Sequence, residues 1–472
     1  MTTLRFHGSA AVLLLPLALF VAVTARLFIS EAAFDLTGLA AAGVLTLFSG
    51  SLLAKSPSEY WKAAVRGASS ELTGTVVLIL IASGIFSAMM KASGVADGLV
   101  FLGGMLHLTG HAFTVFVLLA SSLMAAATGS SIGTLLAAMP IFFPAGVALG
   151  ADPAMLAGAV LSGAIFGDNL APVSDVTVIS SVTQRFRDGT PADIAGVVRT
   201  RLPYAMTALA VSMPVYAFMG ASRPVSEAAL SGDASALLML VPVAVLIAVA
   251  VRTRDVLMAI SAGAVTGTAT GLLIGRLSFA TIFAADDGRL SGFLISGISN
   301  VSPIILLCVT LFAFTGTVRE AGVPDMMAKA LEAGSAGRPS ALRTELFLSA
   351  ATLVVTTLFA AVTSASVALV GSLTDDIGRA SNVHPYRRSH ILSGLANSLP
   401  VLMPFSAFVL ITMAAVSGLE GAAAVTPFTL MTAAFYPIAL FLVFGFMVLT
   451  GTGRMMETPE PEAAEAKTAT AL

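Results

Sequence analysis

Of the 472 residues, 57% are hydrophobic and only 11% charged, against about 25% charged in a soluble globular chain, which excludes a water-soluble domain as the main body. Apolar runs of roughly 20 residues, rather than ~10-residue segments of alternating polarity, exclude a transmembrane barrel and predict an all-α polytopic membrane protein. A net charge of −2 and a single cysteine, Cys308, exclude nucleic-acid binding, an intrachain disulfide and a thiolate metal centre.

From the N-terminus, apolar runs predict two transmembrane helices within 1–71, at 8–29 and 36–54. The first follows Arg5, but no Ala-x-Ala site closes it, so it is expected to be retained rather than cleaved. A third span covers 72–92. The next run, 111–149, is too long for one crossing, and Thr128-Gly129-Ser130-Ser131 divides it. Small polar residues at mid-membrane let the backbone turn where it is buried or lines a cavity, so a re-entrant hairpin is expected. A broken helix follows at 153–183, and linking spans at 203–220, 237–251 and 256–275 fill 185–300. After a span at 301–318 comes a second over-long run, 346–380, divided at Thr363-Ser364-Ala365-Ser366. A second broken helix at 389–416 and one last helix at 427–450, within 418–454, complete the membrane part. The acidic segment 455–472 is expected to be a disordered cytoplasmic tail.

Basic residues test this assignment, because cytoplasmic loops collect Lys and Arg. With both hairpins returning to the side they enter from and both termini cytoplasmic, nineteen of the 24 Lys and Arg residues fall inside and five outside. Reading either hairpin as a single crossing reverses every later loop and destroys the asymmetry. The inside set includes Arg199 and Arg201 in a loop at 184–202, and Arg387 and Arg388 after the second hairpin.

The two halves also resemble each other. Lys91 to Asp97 matches Arg319 to Asp325, and Thr128 and Ser131 match Thr363 and Ser366. Leu161-Ser162-Gly163 matches Leu392-Ser393-Gly394, and Pro172-Val173-Ser174 matches Pro404-Phe405-Ser406. Four matches in the same order predict two repeats, 72–184 and 301–417, of opposite orientation, the architecture of secondary transporters.

The densest polar cluster in any predicted span is Gly167-Asp168-Asn169-Leu170-Ala171-Pro172-Val173-Ser174-Asp175-Val176-Thr177. Pro172 removes a backbone donor and disfavours helix at Ala171, so the helix is expected to unwind and bare its carbonyls. Asp168 and Asp175 are the acids placed well inside a span, a position expensive enough to imply function. Together with Asn169, Ser174 and Thr177 they supply hard oxygen ligands suited to an alkali cation. A carboxylate that holds either a proton or a sodium ion, but not readily both, is sufficient for antiport under alternating access. The hairpin tip Thr128, Ser130 and Ser131 is expected to complete this Na+ and H+ site. The second repeat offers neutral ligands only: Thr363, Ser364, Ser366, Asn397, Ser398 and Ser406. His107, His111, His384 and His390 read as solvated loop or rim residues, and Asp375 and Asp376 as partners of Arg379, Arg387 and Arg388 in an interfacial charge network.

The 167–177 run resembles the signature loop of the NhaC-type sodium/proton antiporter family, within a wider ion-transporter superfamily. Its members show Gly-Asp-Lys-(small)-Ser-Pro-(apolar)-Ser-Asp-Thr-Thr, matched here by Gly167, Asp168, Pro172, Ser174, Asp175 and Thr177. Asn169 replaces the lysine, Ala171 the serine before proline, and Val176 the first threonine. Thr128 to Thr134 is similar to the family's first hairpin tip, and His384 to Arg388 also has a family look. The resemblance covers about 70–415. It implies Na+/H+ exchange in a bacterial cytoplasmic membrane, a scaffold with a moving transport unit, no cofactor beyond the transported ions, and a homodimer.

Relatives that exchange malate for lactate, or carry amino acids with sodium, make an ion-coupled amino acid or carboxylate carrier the alternative. No arginine or lysine is expected within the membrane to hold an organic anion, which favours the inorganic ion. An intramembrane aspartyl enzyme is disfavoured, because its two acids would sit seven residues apart in one broken segment with no acid in the second repeat.

Overall fold

A computed structural model describes residues 4–8, 10–27, 36–221, 234–253, 255–286, 289–323 and 340–457. The expected loops around 222–233 and 324–339, the Asp376 side chain, and the tail from 458 lie outside the described residues. The protein is an all-α membrane protein. Nine helices among the described residues are long and apolar enough to cross a bilayer, and two bent pairs can each add one more.

The N-terminal part is α1 (Leu14–Ala25), α2 (Leu36–Leu53) and an amphipathic α3 (Pro57–Ala68) that buries Tyr60, Ala63 and Ala64. Next come α4 (Glu71–Ser93) and a short apolar helix, α5 (Val95–Met105), in a stretch expected to be loop. The first hairpin is α6 (Gly110–Thr128) and α7 (Ser131–Ala148), and the broken helix is α8 (Pro153–Leu170) with α9 (Asp175–Val182). The backbone N–H of Gly110 donates to Leu149 O at 2.8 Å, so the two ends of the hairpin meet on one side.

Linking helices α10 (Ile194–Met219), α11 (Leu240–Thr253) and α12 (Val256–Leu273) lead to a small α13 (Phe279–Ile282) and a β-hairpin pairing 284–286 with 289–291. The second half follows the order of the first: long helix α14 (Phe293–Glu320), helical pair α15 (Ala341–Leu358) and α16 (Thr363–Ala380), then the interrupted α17 (Pro385–Ala396) and α18 (Ala407–Val416). The α17–α18 pair is bent by 53°.

The expected single last helix is two, α19 (Pro427–Ala433) and α20 (Phe435–Thr450), bent by 54° at Ala434. Pro437, just past the bend, has no N–H to give the helix. The freed backbone groups are taken by side chains from elsewhere. Tyr216 Oη donates to Ala433 O (2.8 Å) and accepts from Phe435 N–H (3.0 Å), while Ser162 Oγ accepts from Tyr436 N–H (3.2 Å). A break in the bilayer interior is tolerated when its polar groups are satisfied in this way, and no hydropathy plot registers those partners.

The core lies where α6, α7, α8 and α18 meet, with Phe143, Leu156, Leu161 and Leu410 fully buried. The α6–α8 contact depends on small residues. A Cβ on Gly167 would stand 2.3 Å from Ser122 O and 2.5 Å from Ala126 N, so the two backbones touch. Gly167→Ala is therefore expected to force the helices apart at about 1–3 kcal/mol, lowering the unfolding temperature in detergent. Gly445→Ala in α20, where an added methyl meets nothing within 4 Å, is expected to leave it unchanged or raised. Equal behaviour of the two variants would contradict this packing.

Candidate functional site

The break after α8 is built by its own sequence. Asp152 caps the helix start, accepting from Met155 N–H at 2.9 Å, with Pro153 in the first turn. Pro172 then pushes Ala171 into an extended conformation (φ −65°, ψ 123°), and Ser174 N–H closes the turn onto Ala171 O at 3.2 Å. The C-terminal carbonyls of α8 and the first N–H groups of α9 are thereby left at one place, the dipole arrangement that serves cation and anion sites.

The tip of the first hairpin docks on this break. Gly129 adopts φ +69°, and a Cβ there would stand 2.7 Å from Val173 Cγ2 and 3.1 Å from Ser174 N, so glycine is required on both counts. Ser130 caps α7 through Gly133 N–H at 3.1 Å. The next residue, Ser131, turns its hydroxyl onto Asp168 Oδ2 at 3.2 Å. Asp168 is 4% exposed, and the buried hydroxyl of Ser174 bears on the same carboxylate. Asp168, Ser131 and Ser174 thus form a small oxygen-lined site.

The remaining candidates fall in different places. Asp175 is the first residue of α9 and is exposed, on the far side of the break from buried Asp168. Asn169 is fully buried and engaged at both ends of its amide: Nδ2 donates to Tyr436 Oη (3.3 Å) and Oδ1 accepts from Ser393 Oγ (3.2 Å). Thr177 accepts from Arg201, and Thr128 donates to the Met124 carbonyl of its own helix. These geometries make Asn169 and Thr177 ties between helices.

In the second half the turn lies at Phe359–Val362, so Thr363, Ser364 and Ser366 belong to the first turn of α16, and Ser366 Oγ donates to Val362 O. Ala360 and Ala361 take positive φ (51° and 59°), a strained conformation for non-glycine residues, and Ala360 O accepts from Ala407 N–H at 2.9 Å. Each hairpin tip therefore contacts the break in the helix that follows it. Ser398 and Ser406 are spent on local backbone, whereas Asn397 is fully buried with both amide atoms unpartnered among the described residues. Ser393, a repeat match in the sequence, ties the second broken helix to α8 by donating to Asn169 Oδ1.

The largest correction concerns buried charge. Helix α10 begins at Ile194, nine residues before the expected span, with Asp193 capping it through Gly196 N–H (2.6 Å). Arg201 is consequently a fully buried helical residue, not a loop residue, and the expectation of no arginine in the membrane part is overturned. Asp193 as an N-cap, with Val197, Arg201, Ala205 and Ala208 on one face, was the available signal. Arg387 and Arg388 are also fully buried, within α17, and so is His390. Glu345, one residue before the expected run 346–380, is a fully buried acid of α15 paired with Arg387 at 2.9 Å. Arg388 and Arg379 take Asp375, at 2.6 and 3.3 Å. Among the described residues no cluster of three His, Cys, Asp or Glu side chains could hold a metal ion.

Comparison with known proteins gives a consistent direction. Residues 3–221 match the model of the Na+/H+ antiporter family. The chain is 31% identical over 176 residues to a malate-2H+/Na+-lactate antiporter of Bacillus subtilis, and 40% identical over 104 residues to the Na+/H+ antiporter NhaC of Alkalihalophilus pseudofirmus. Those segments cover 37% and 21% of this chain, and only 36% and 22% of the two relatives' own lengths. Among solved structures, the YdaH transporter of Alcanivorax borkumensis is similar at 12% identity and a TM-score of 0.39, covering 80% of this chain and 85% of that one. MtrF of Neisseria gonorrhoeae gives the same identity and score, over 92% and 95%.

Proposed function

We propose that the chain, whose residues 3–221 match the model of the Na+/H+ antiporter family, is a secondary active transporter exchanging Na+ for H+ by alternating access. The observation that carries this reading is a nearly buried carboxylate, Asp168, at a helix break, with the Ser131 and Ser174 hydroxyls on it. A proton on Asp168 satisfies the site with no ion. A sodium ion takes the same oxygens once the proton leaves. The two states exclude each other, which is the requirement for exchange.

In this proposal 72–184 and 301–417 are inverted repeats. The recurring order of long helix, helical pair and broken helix supports that reading, as does the docking of each tip on the following break. The excess of Lys and Arg on one side supports both termini being cytoplasmic in a bacterial inner membrane. The working unit is taken as a homodimer engaged in transport, not catalysis. In proteoliposomes carrying a preset pH gradient, added Na+ alone is expected to collapse it; a gradient that survives Na+ at every pH tested would reject the exchange.

A second reading, an ion-coupled carrier of an amino acid or carboxylate, is favoured by the likeness to a malate/lactate exchanger and by the presence of Arg201. Against it, both Nη atoms of that guanidinium already donate to the protein. Na+ movement that requires an added organic acid would establish this alternative.

A further inference from the structure

Arg201 differs from the other fully buried arginines. Arg387 and Arg388 each hold a carboxylate, whereas Arg201 has no ion-pair partner among the described residues. Its Nη1 donates to Asn169 O (2.8 Å), Thr177 Oγ1 (3.2 Å) and Ser393 Oγ (2.9 Å), and Nη2 reaches Ser180 Oγ and Ser389 Oγ at 3.4 Å. All five partners are neutral. A guanidinium keeps its proton, and burying one without a counter-charge costs several kcal/mol. Such a charge persists where the site around it uses it. The partners place it one residue after Asp168 and two after Asp175, on the elements that form the break.

We propose that Arg201 is the fixed counter-cation of the transport site and limits exchange to one Na+ for one H+, with no net charge moved. The inference rests on the Na+/H+ reading above. Two aspartates, Asp168 and Asp175, taken as carboxylates, and Arg201 sum to one negative charge. A single monovalent cation, sodium or proton, brings the sum to zero, the charge that crosses a low-dielectric barrier at least cost. The empty unit keeps its net charge and is held back, so exchange is obligatory. Without Arg201 the same aspartates require two cations, and exchanges that move charge become accessible. The positive charge that the family motif carries on its lysine, replaced here by Asn169, is thereby supplied from α10 through the Asn169 carbonyl.

Arg201 is a positioning residue in this scheme, and its test reads charge movement, which a purely structural tie would not alter. Wild type, Arg201→Lys and Arg201→Gln are reconstituted with Na+ and H+ both more concentrated on the same side, and the membrane potential is clamped with K+ and valinomycin. For wild type and Arg201→Lys, equal tenfold gradients are expected to balance at every clamped potential. For Arg201→Gln, the balance point is expected to move with potential. A voltage-dependent balance in wild type overturns the proposal whatever the variants do, including when Arg201→Gln does not fold. An active Arg201→Gln that stays voltage-independent overturns it too. Wild type that moves no protons with Na+ fails the exchange reading itself, a separate result.

Discussion

Asp168→Asn protein is expected to leave a preset pH gradient standing when sodium is added, while folding as well as wild type. The amide keeps the shape of the carboxyl and can still pair with Ser131 Oγ, which lies 3.2 Å from Oδ2. It loses the charge that attracts Na+ and the group that exchanges a proton. A lost charged ligand alone is worth ~1.5–3 kcal/mol, about 10- to 150-fold in affinity, and an exchanger with no proton site has nothing to exchange. Flux should therefore fall to the level of empty liposomes. The unfolding temperature should hold or rise, because a nearly buried charge has been removed. Asp175→Asn is the instructive comparison. Asp175 is exposed and heads a helix, so its neutralisation should weaken or uncouple transport without abolishing Na+-dependent flux. Near-normal antiport by Asp168→Asn would place the ion elsewhere.

Glu345→Ala is expected to be the most destabilising single change among these variants, at about 3–5 kcal/mol. Glu345 accepts from Arg387 Nε (2.9 Å) and Nη2 (3.2 Å), and from Arg454 Nε (3.2 Å) and Nη2 (2.9 Å). Arg387 in turn donates to the carbonyls of Met447 (2.6 Å) and Thr452 (2.9 Å). One carboxylate therefore joins α15, α17 and the end of α20. Its removal leaves Arg387 fully buried and uncompensated. Thermal unfolding in detergent should show a large fall for Glu345→Ala and a smaller one for Glu345→Gln, which keeps an acceptor. Glu59→Ala, which breaks an exposed pair with Lys62, should show no measurable change. If Glu345→Ala matched Glu59→Ala, the buried network would carry no stability.

Contacts of residues 455–457 with the turn before α17 continue this network in a way the sequence did not suggest. Met456 pairs with Val383, His384 N–H donates to Met455 O (3.0 Å), and Glu457 N–H donates to Asn382 O (2.8 Å). The first residues of the segment expected to be a free acidic tail are thus held against the turn between α16 and α17. Buried polar groups explain why this was hidden. A glutamate and an arginine in sequence read as loop, and they become affordable inside a helical bundle only once a partner from a distant segment stands beside them.

What the sequence determined by itself follows from local chemistry. Apolar length fixed an all-α membrane class, Pro172 fixed the break after α8, and Thr128 to Ser131 fixed a turn at the first hairpin tip, because these depend on side-chain transfer energy and backbone geometry over a few residues. The motif that signals the family is also local, resting on Gly167, Asp168, Pro172, Ser174, Asp175 and Thr177 within 167–177. Tertiary structure alone decided which polar atoms are used and which are spare. Asn169 and Thr177 are tied to Tyr436, Ser393 and Arg201, and Ser406 to its own turn, whereas Ser131 and Ser174 bear on Asp168 and Asn397 stays unpartnered among the described residues. It also decided that Arg201 is buried and that the last helix bends at Ala434 onto Ser162 and Tyr216. Hydrogen-bond satisfaction and charge pairing between segments hundreds of residues apart depend on three-dimensional proximity, which hydropathy and spacing along one chain do not encode.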